Sequence, residues 1–305
     1  MTITMNGAYF NNLDQKSGLK TALAQIQGSV TTDYILFSLN VASGTSPDIN
    51  FGLTGPVLAT NGQVAPATGD LLSSVVSAGV AKGHCQWVWL SIGGWGSNAF
   101  TNIQNILTAG GAPRSTLIAN FGAIVQALGS IKGVGSIGFD MDYEEQGSDL
   151  ASLVASVTIA LNDAFKCPIT FCPYQQLPVP DPTRSPWIQA LQQVYSQQGT
   201  QPVVGFNLQT YAGGALNDPR AWTAAIANAS NTGVSDPAAF VWPIVSCDTS
   251  ASPVSPPSQV IQKMKEWGSQ GASLWATASL PYEGNPLAAY GNAITAGITP
   301  PPTRR

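Results

Sequence analysis

Charge is what this sequence has least of. Of its 305 residues, 9% are Asp, Glu, Lys or Arg, against roughly a quarter in an average soluble protein. Ser, Thr, Asn and Gln take over as the polar surface groups. The 12 basic and 16 acidic residues leave a formal net charge of -4. The Lys and Arg are scattered, so no basic block can follow a phosphate backbone, and nucleic acid is not an expected partner. An uncharged polymer is easier to reconcile with this surface. Runs of about 18 apolar residues are also missing, which argues against a membrane-spanning helix. The stretch Met1 to Gly7 lacks the basic and apolar regions of a signal peptide. The low-charge polar composition still leads us to expect a secreted protein, with a cytoplasmic one as the alternative.

Metal-binding material is equally scarce. There is one histidine, His84, and the four cysteines, Cys85, Cys167, Cys172 and Cys247, show no C-x-x-C spacing, so neither a zinc site nor a cofactor is expected. Cys167 and Cys172 bracket one expected strand and stand about 16 Å apart at ~3.3 Å per residue, too far for a mutual disulfide. All four read as buried thiols acting as small hydrophobes, with other disulfides left open. His84 opens an expected strand without an acid-base partner and reads as structural or exposed. No Ser-His-Asp arrangement can be built around it.

What the chain does have is 44% apolar residues, 9% of all residues being aromatic, enough for a substantial core. Short β-branched and aromatic runs alternate with amphipathic Ala- and Leu-rich stretches, the order of repeated β/α units on a parallel sheet. Eight strands are expected, near Ile3 to Phe10, Tyr34 to Val41, Gln86 to Ile92, Ser136 to Tyr143, Ile169 to Tyr174, Val203 to Tyr211, Phe240 to Cys247 and Ala272 to Thr277. Helices are expected where Pro or Asp offers a start: Pro113 to Leu128, Asp149 to Asp163, Pro186 to Gln197, Asp218 to Ala229 and Pro257 to Gly268. The first two helices of the series are less distinct. The fold class is therefore α/β, a (β/α)8 TIM barrel. It is expected to be a single domain over residues 1–298 without a large insertion domain, followed by a Pro-rich tail over 299–305.

The Gly-, Pro-, Ser- and Thr-rich stretch from Asn40 to Gly69 reads as an elaborated loop on the active face, bordering substrate. No comparable insertion separates Cys247 from the helix at Pro257, so the cleft is expected to be shallow.

One strand concentrates the chemistry. In Gly135-Ser-Ile-Gly-Phe-Asp-Met-Asp-Tyr-Glu144, Gly138, Asp140, Asp142 and Glu144 share one face, with Ile137, Phe139, Met141 and Tyr143 on the other. The apolar face and the neighbouring β/α units place the three acids inside the barrel rather than on a solvated stripe. Burying three carboxylates in a row costs several kcal/mol per uncompensated ion. Some should then be protonated or closely hydrogen-bonded, which is how acid catalysts acquire raised pKa values. Glu145 points the opposite way and reads as a solvated or salt-bridged neighbour.

This segment resembles the D-G-x-D-x-D-x-E signature of the family 18 glycoside hydrolases, which include chitinases, with Ile137 where the family's first Asp stands. The resemblance implies Glu144 as proton donor, Asp142 as the partner that orients the substrate's acetamido group, and Asp140 as the inner residue that tunes Asp142. It also implies a retaining mechanism in which the acetamido oxygen is the nucleophile, so that no second carboxylate across the cleft is needed. Three further stretches are similar to family motifs in the right order. Leu90-Ser-Ile-Gly-Gly94 is similar to S-x-G-G on the third strand. Asn207-Leu-Gln-Thr-Tyr211 resembles the sixth-strand motif, which makes Gln209 and Tyr211 substrate-binding candidates, although Ala212 stands where the family has an acid or Asn. In Ser273-Leu-Trp275, Trp275 would be the platform under the sugar. Tyr9 and Phe37 resemble the aromatics that complete the pocket, and Tyr174 and Gln175 are placed to touch substrate. Trp87 and Trp89 lie deeper and read as barrel packing. The resemblance implies a monomeric endo-chitinase acting on chitin or N-acetylglucosamine oligosaccharides. The alternatives are an endo-β-N-acetylglucosaminidase acting on N-glycans and a non-catalytic sugar-binding relative. Retention of all three acids favours an enzyme.

Overall fold

The computed structural model describes residues 4–147 and 149–298. The expected tail and Ile3, the start of the first expected strand, lie outside the described residues. Eight parallel strands close into a barrel: β1 (Asn6–Phe10), β2 (Asp33–Asn40), β6 (Trp87–Gly93), β7 (Ser136–Asp142), β8 (Ile169–Phe171), β9 (Val203–Gln209), β10 (Val241–Ser246) and β11 (Ala272–Trp275). Closure comes from β1, which pairs with β11 on one side and β2 on the other. Every expected strand is present. Three short antiparallel strands, β3 (Ile49–Phe51), β4 (Val57–Thr60) and β5 (Gln63–Val64), extend the sheet from the end of β2. The long connection after Asn40 is thus a small β-excursion on the barrel's C-terminal face rather than an irregular loop.

Nine α-helices surround the barrel among the described residues: α1 (Lys16–Ile26), α2 (Pro66–Ala81), α3 (Ala99–Ala109), α4 (Gly111–Gly129), α5 (Leu150–Phe165), α6 (Pro186–Gln198), α7 (Pro219–Asn228), α8 (Pro257–Trp267) and α9 (Pro286–Gly297). Five of them, α2, α6, α7, α8 and α9, begin on proline, whose fixed φ suits the first turn and whose missing N–H would have had no partner there. Helices α6 and α8 end against Gly199 and Gly268 in the left-handed conformation. Two helices, α3 and α9, lie outside the expected set. None of the described helices is long and apolar enough to cross a membrane.

Period-two alternation divides the core. Outward side chains such as Phe139, Met141, Phe171 and Phe206 join the layer between strands and helices. Inward ones, including Tyr9, Ile35, Trp89, Trp242 and Ile244, fill the barrel itself. The barrel is too narrow for two large residues at one level. Gly138 pairs with Trp89, where an added Cβ would stand 2.4 Å from the indole ring. Gly205 is matched in the same way to Trp242, at 2.3 Å. Trp87 and Trp89 stack at 5.2 Å between centroids, a packing role as expected. Asp33, also fully buried, accepts from the Asn6 backbone, Thr32 Oγ1 and Trp89 Nε1 at 3.1, 2.7 and 3.1 Å.

The cysteines are all free. Cys85 and Cys172 are buried, but Cys167 and Cys247, two residues before β8 and one after β10, are only half-buried. His84 is half-buried in the turn between α2 and β6.

Candidate active site

Strand β7 delivers its acids in a graded series. Asp140 is fully buried, Asp142 is 2% exposed, and Glu144, just past the strand end, is half-buried and reaches the open cavity. Asp140 collects four donors: Ser91 Oγ at 2.8 Å, Thr170 Oγ1 at 2.7 Å, Asn207 Nδ2 at 2.9 Å and Tyr9 Oη at 3.2 Å. They come from four different strands, β6, β8, β9 and β1, so the carboxylate ties the barrel together from within. Burial pushes the Asp140 pKa up, and these hydrogen bonds to the charged form oppose it.

Asp142 has fewer partners. Its carboxyl takes Gln209 Nε2 at 3.2 Å and a hydrogen bond with the Cys172 thiol. The same Gln209 amide nitrogen donates to Glu144 Oε1 at 3.0 Å, so a single group bridges both acids. Burial raises the Asp142 pKa well above the usual carboxylate range, and the neighbouring charges of Glu144 and Asp140 raise it further. Burial raises Glu144 as well, against the Gln209 hydrogen bond. Two adjacent acids with raised pKa values hold a proton between them at pH values where free carboxylates have lost theirs. That is the condition a general acid needs.

The glycines after β6 make this arrangement possible. Gly93 and Gly94 have φ of +104° and +90°, a region costly for other residues. A Cβ on Gly93 would stand 2.3 Å from the Asp142 carbonyl oxygen, and one on Gly94 would stand 2.5 Å from the Phe37 ring. The Gly94 N–H donates to that same carbonyl at 2.7 Å. Backbone contact at this level fixes the end of β7, and hence the direction in which Glu144 leaves it.

Above the acids lies a cavity of about 600 Å³ lined by Glu144, Gln209, Tyr211, Phe37, Trp275 and Tyr174, with Trp95 and Asp248 also in its wall. Trp275 is held by aromatics on three sides. It lies nearly parallel to Tyr211 at 5.9 Å, edge-on to Phe37 at 4.8 Å and edge-on to Tyr9 at 5.5 Å. A broad, half-buried indole fixed in this way offers a flat apolar face to a ring-shaped ligand.

Most of the residues singled out from the sequence therefore meet at one place: Asp140, Asp142, Glu144, Gln209, Tyr211, Trp275 and Phe37. Tyr9 departs from its expected role in the pocket wall. It is 1% exposed, it does not line the cavity, and its hydroxyl is spent on Asp140 and the Cys172 thiol, at 3.2 and 3.5 Å. Gln175 is likewise turned away, its Oε1 accepting from Trp187 Nε1 at 2.6 Å. Glu145 is neither solvated nor salt-bridged. It is 6% exposed and accepts from the Phe100 and Thr101 backbone at 2.6 and 3.2 Å and from Thr101 Oγ1 at 2.5 Å, at the N-terminus of α3.

Four contributors escaped the sequence reading: Thr170, Cys172, Asp248 and Trp95. Only Trp95 carried a local signal, since it follows directly on Gly93-Gly94. No group of three or more His, Cys, Asp or Glu among the described residues is arranged to hold a metal ion.

No protein-family model matches this sequence, and no curated protein does. Solved structures do match. The barrel resembles those of chitinases. A class V chitinase from Nicotiana tobaccum aligns over 97% of this chain and 100% of its own, with a TM-score of 0.61 and 12% identity. The catalytic domain of a family GH18 chitinase from the fern Peteris ryukyuensis aligns over 96% and 98%, with a TM-score of 0.56 and 15% identity. A chitinase-like agglutinin from Robinia pseudoacacia aligns over 95% and 99%, with a TM-score of 0.54 and 13% identity. The structural neighbours of this single-domain (β/α)8 barrel thus include chitinases, one of them of family GH18, and chitinase-like proteins, together with a beta-mannanase from Mytilus edulis. At these identities the likeness describes the fold, and function has to be argued from the site.

Proposed function

We propose that this protein is a retaining glycoside hydrolase of family 18 type that cleaves β-1,4-linked N-acetylglucosamine polymers. The observation that carries the reading is the Gln209-bridged pair of Asp142 and Glu144, with raised pKa values, opening into an aromatic cavity floored by Trp275. Glu144, the acid that reaches the cavity, donates its proton to the glycosidic oxygen as that bond breaks. The acetamido oxygen of the bound sugar attacks C1 from the opposite face, and Asp142 takes the acetamido N–H. The Tyr211 hydroxyl, in the cavity wall, donates to the attacking oxygen. Water, deprotonated by Glu144, then opens the cyclic intermediate and leaves the β anomer. Asp140 stays inside the barrel on its four donors, and its charge, once it is ionised, holds a proton on Asp142 to higher pH.

This mechanism requires no second carboxylate as nucleophile. The other acid in the wall, Asp248, is held by the Ser250 backbone and hydroxyl at 2.9 and 2.7 Å. The small loops around the cavity suit internal cleavage of a polymer rather than processive removal of dimers from an end. Low surface charge fits an exported enzyme acting on an uncharged polymer.

The test is hydrolysis of chitin pentamer with products followed by mass spectrometry and early anomers by NMR, alongside an N-glycosylated protein. Dimers and trimers with retained β configuration are the expected result. Release of a glycan without chitin cleavage would move the assignment to an endo-β-N-acetylglucosaminidase, and binding without cleavage of either would make the protein a lectin.

A further inference from the structure

A second, smaller recess shares part of its wall with the main cavity. Past Phe37 and Trp95, which line both, a recess of about 180 Å³ opens between the segments that follow β1, β2 and β6. Asp14 contributes from the first of these, Phe51, Gly52 and Leu53 from the second, and Trp95 from the third. Trp95 is 71% exposed and Leu53 47%, and Gly52, at φ +79°, keeps the wall there to bare backbone. Together with Phe37 these side chains give the recess an apolar wall with an indole face, the surface against which the C–H side of a pyranose ring packs.

Its charge is one-sided. Among the described residues Asp14 is the only charged one in the recess, and no Lys or Arg lines either cavity. Arg184 and Arg220, which follow β8 and β9 across the barrel from the recess, are each paired with a nearby aspartate, Asp181 and Asp218. Asp248 in the main cavity accepts on one oxygen from the Ser250 backbone and hydroxyl. Asp14 is exposed and has no hydrogen bond or ion pair with any described residue. A carboxylate with no cation paired to it among the described residues, in one recess with an exposed indole and sharing Phe37 and Trp95 with the main cavity, is a binding element for a cationic ring.

We propose that this recess is an accessory subsite for an aminosugar bearing a free ammonium group, the unit that partly deacetylated chitin presents, with its ring against Trp95 and its ammonium opposite Asp14. The inference rests on the reading of the main cavity as an N-acetylglucosamine site and adds a preference within that polymer class. An N-acetylated unit carries no charge for Asp14 to attract, so the carboxylate discriminates between the two kinds of unit. Because Asp14 is exposed, the discrimination is of surface strength, about threefold to fivefold, and is screened by salt.

Binding to the Glu144→Gln protein tests this without turnover. The probes are fully acetylated chitin tetramer and a tetramer in which one unit is glucosamine, titrated calorimetrically at low salt and about pH 5, where the amine is protonated. Asp14→Asn in the same background is expected to weaken the mixed tetramer about threefold to fivefold, to lose that difference in high salt, and to leave the acetylated tetramer unchanged. Unchanged affinity for the mixed tetramer would overturn the proposal, and so would an equal loss for both probes, since Asp14 would then shape the recess rather than select its ligand. Failure of both probes to bind either protein would instead overturn the sugar-site reading on which it rests.

Discussion

Replacing Glu145 by alanine should destabilise this protein more than the loss of any exposed charge. Its carboxylate accepts from two backbone N–H groups and one hydroxyl at the first turn of α3, at 2.6, 3.2 and 2.5 Å. Asn98, at the N-cap position, makes no side-chain hydrogen bond, and the one local side-chain acceptor is Ser97 Oγ, which takes the Ala99 N–H at 2.9 Å, so the Phe100 and Thr101 N–H groups depend on Glu145. Loss of an N-cap acceptor costs about 1 kcal/mol, and a carboxylate at a partly buried helix N-terminus contributes up to ~2 kcal/mol. The two figures describe one interaction, so the loss is about 2 kcal/mol, which at about 2.1 cal/mol/K per residue lowers Tm of this 305-residue chain by roughly 3 °C. Calorimetric unfolding measures it. Glu145→Gln keeps one acceptor but turns an amide N–H towards Thr101, so it should lose about half as much. A Tm for Glu145→Ala within about 1 °C of wild type would refute the capping role and leave Glu145 as an ordinary surface acid. Because Glu145 is bonded in sequence to Glu144, the same substitution should also lower the rate of sugar cleavage by loosening the segment that aims the acid.

Gly138→Ala puts a methyl group 2.4 Å from the Trp89 ring and 2.8 Å from the Pro168 carbonyl oxygen; overpacking of this kind costs about 1 to 3 kcal/mol, readable as a lower denaturant midpoint. Gln209→Leu removes the donor shared by Asp142 and Glu144, so their charged forms lose support, their pKa values rise further, and the alkaline limb of kcat/KM should move to higher pH while the rate falls. Asp33, Asp140, Asp142, Glu144 and Glu145 are all raised by burial. Each keeps its proton in the folded state to higher pH than in the unfolded chain, so from about pH 4 upwards the folded state binds more protons and stability falls as pH rises. Tm should therefore be higher at mildly acidic pH than near pH 8, and a Tm that climbs steadily over that range would contradict these burial effects. Asp181, Asp218 and Asp248, shifted down, act in the opposite sense below that window.

The parts legible in the sequence were those governed by local pattern. The eight barrel strands announced themselves as short β-branched or aromatic runs, and helices α6, α7 and α8 began at prolines that mark a first turn. The inward face of β7 followed from period-two alternation alone. What could not be read came from residues distant along the chain. Helix α3 has only a weak start signal in Ser97, whose hydroxyl takes the Ala99 N–H, because the acceptor for the next two N–H groups is Glu145, more than forty positions away. For the same reason Glu145 looked like a surface acid. Tyr9 sits at the end of β1 where a pocket aromatic belongs, yet its ring lies one layer down and its hydroxyl is taken by Asp140 from the opposite side of the barrel. Thr170 and Cys172 are unremarkable in sequence and matter only because β8 lies beside β7. Helix α9 is a different case, since Pro286 offered a start like those of its neighbours, and the signal lay there to be used.

The most direct test of the account is the rate of chitin tetramer hydrolysis by Glu144→Gln beside wild type, with tetramer binding measured on both. Loss of the general acid should lower the rate about 10²- to 10⁴-fold while affinity for the tetramer stays within a few-fold, because the aromatic cavity and the Gln209 amide remain. Cleavage by Glu144→Gln at a rate near that of wild type would contradict the central claim and place the catalytic proton on another residue.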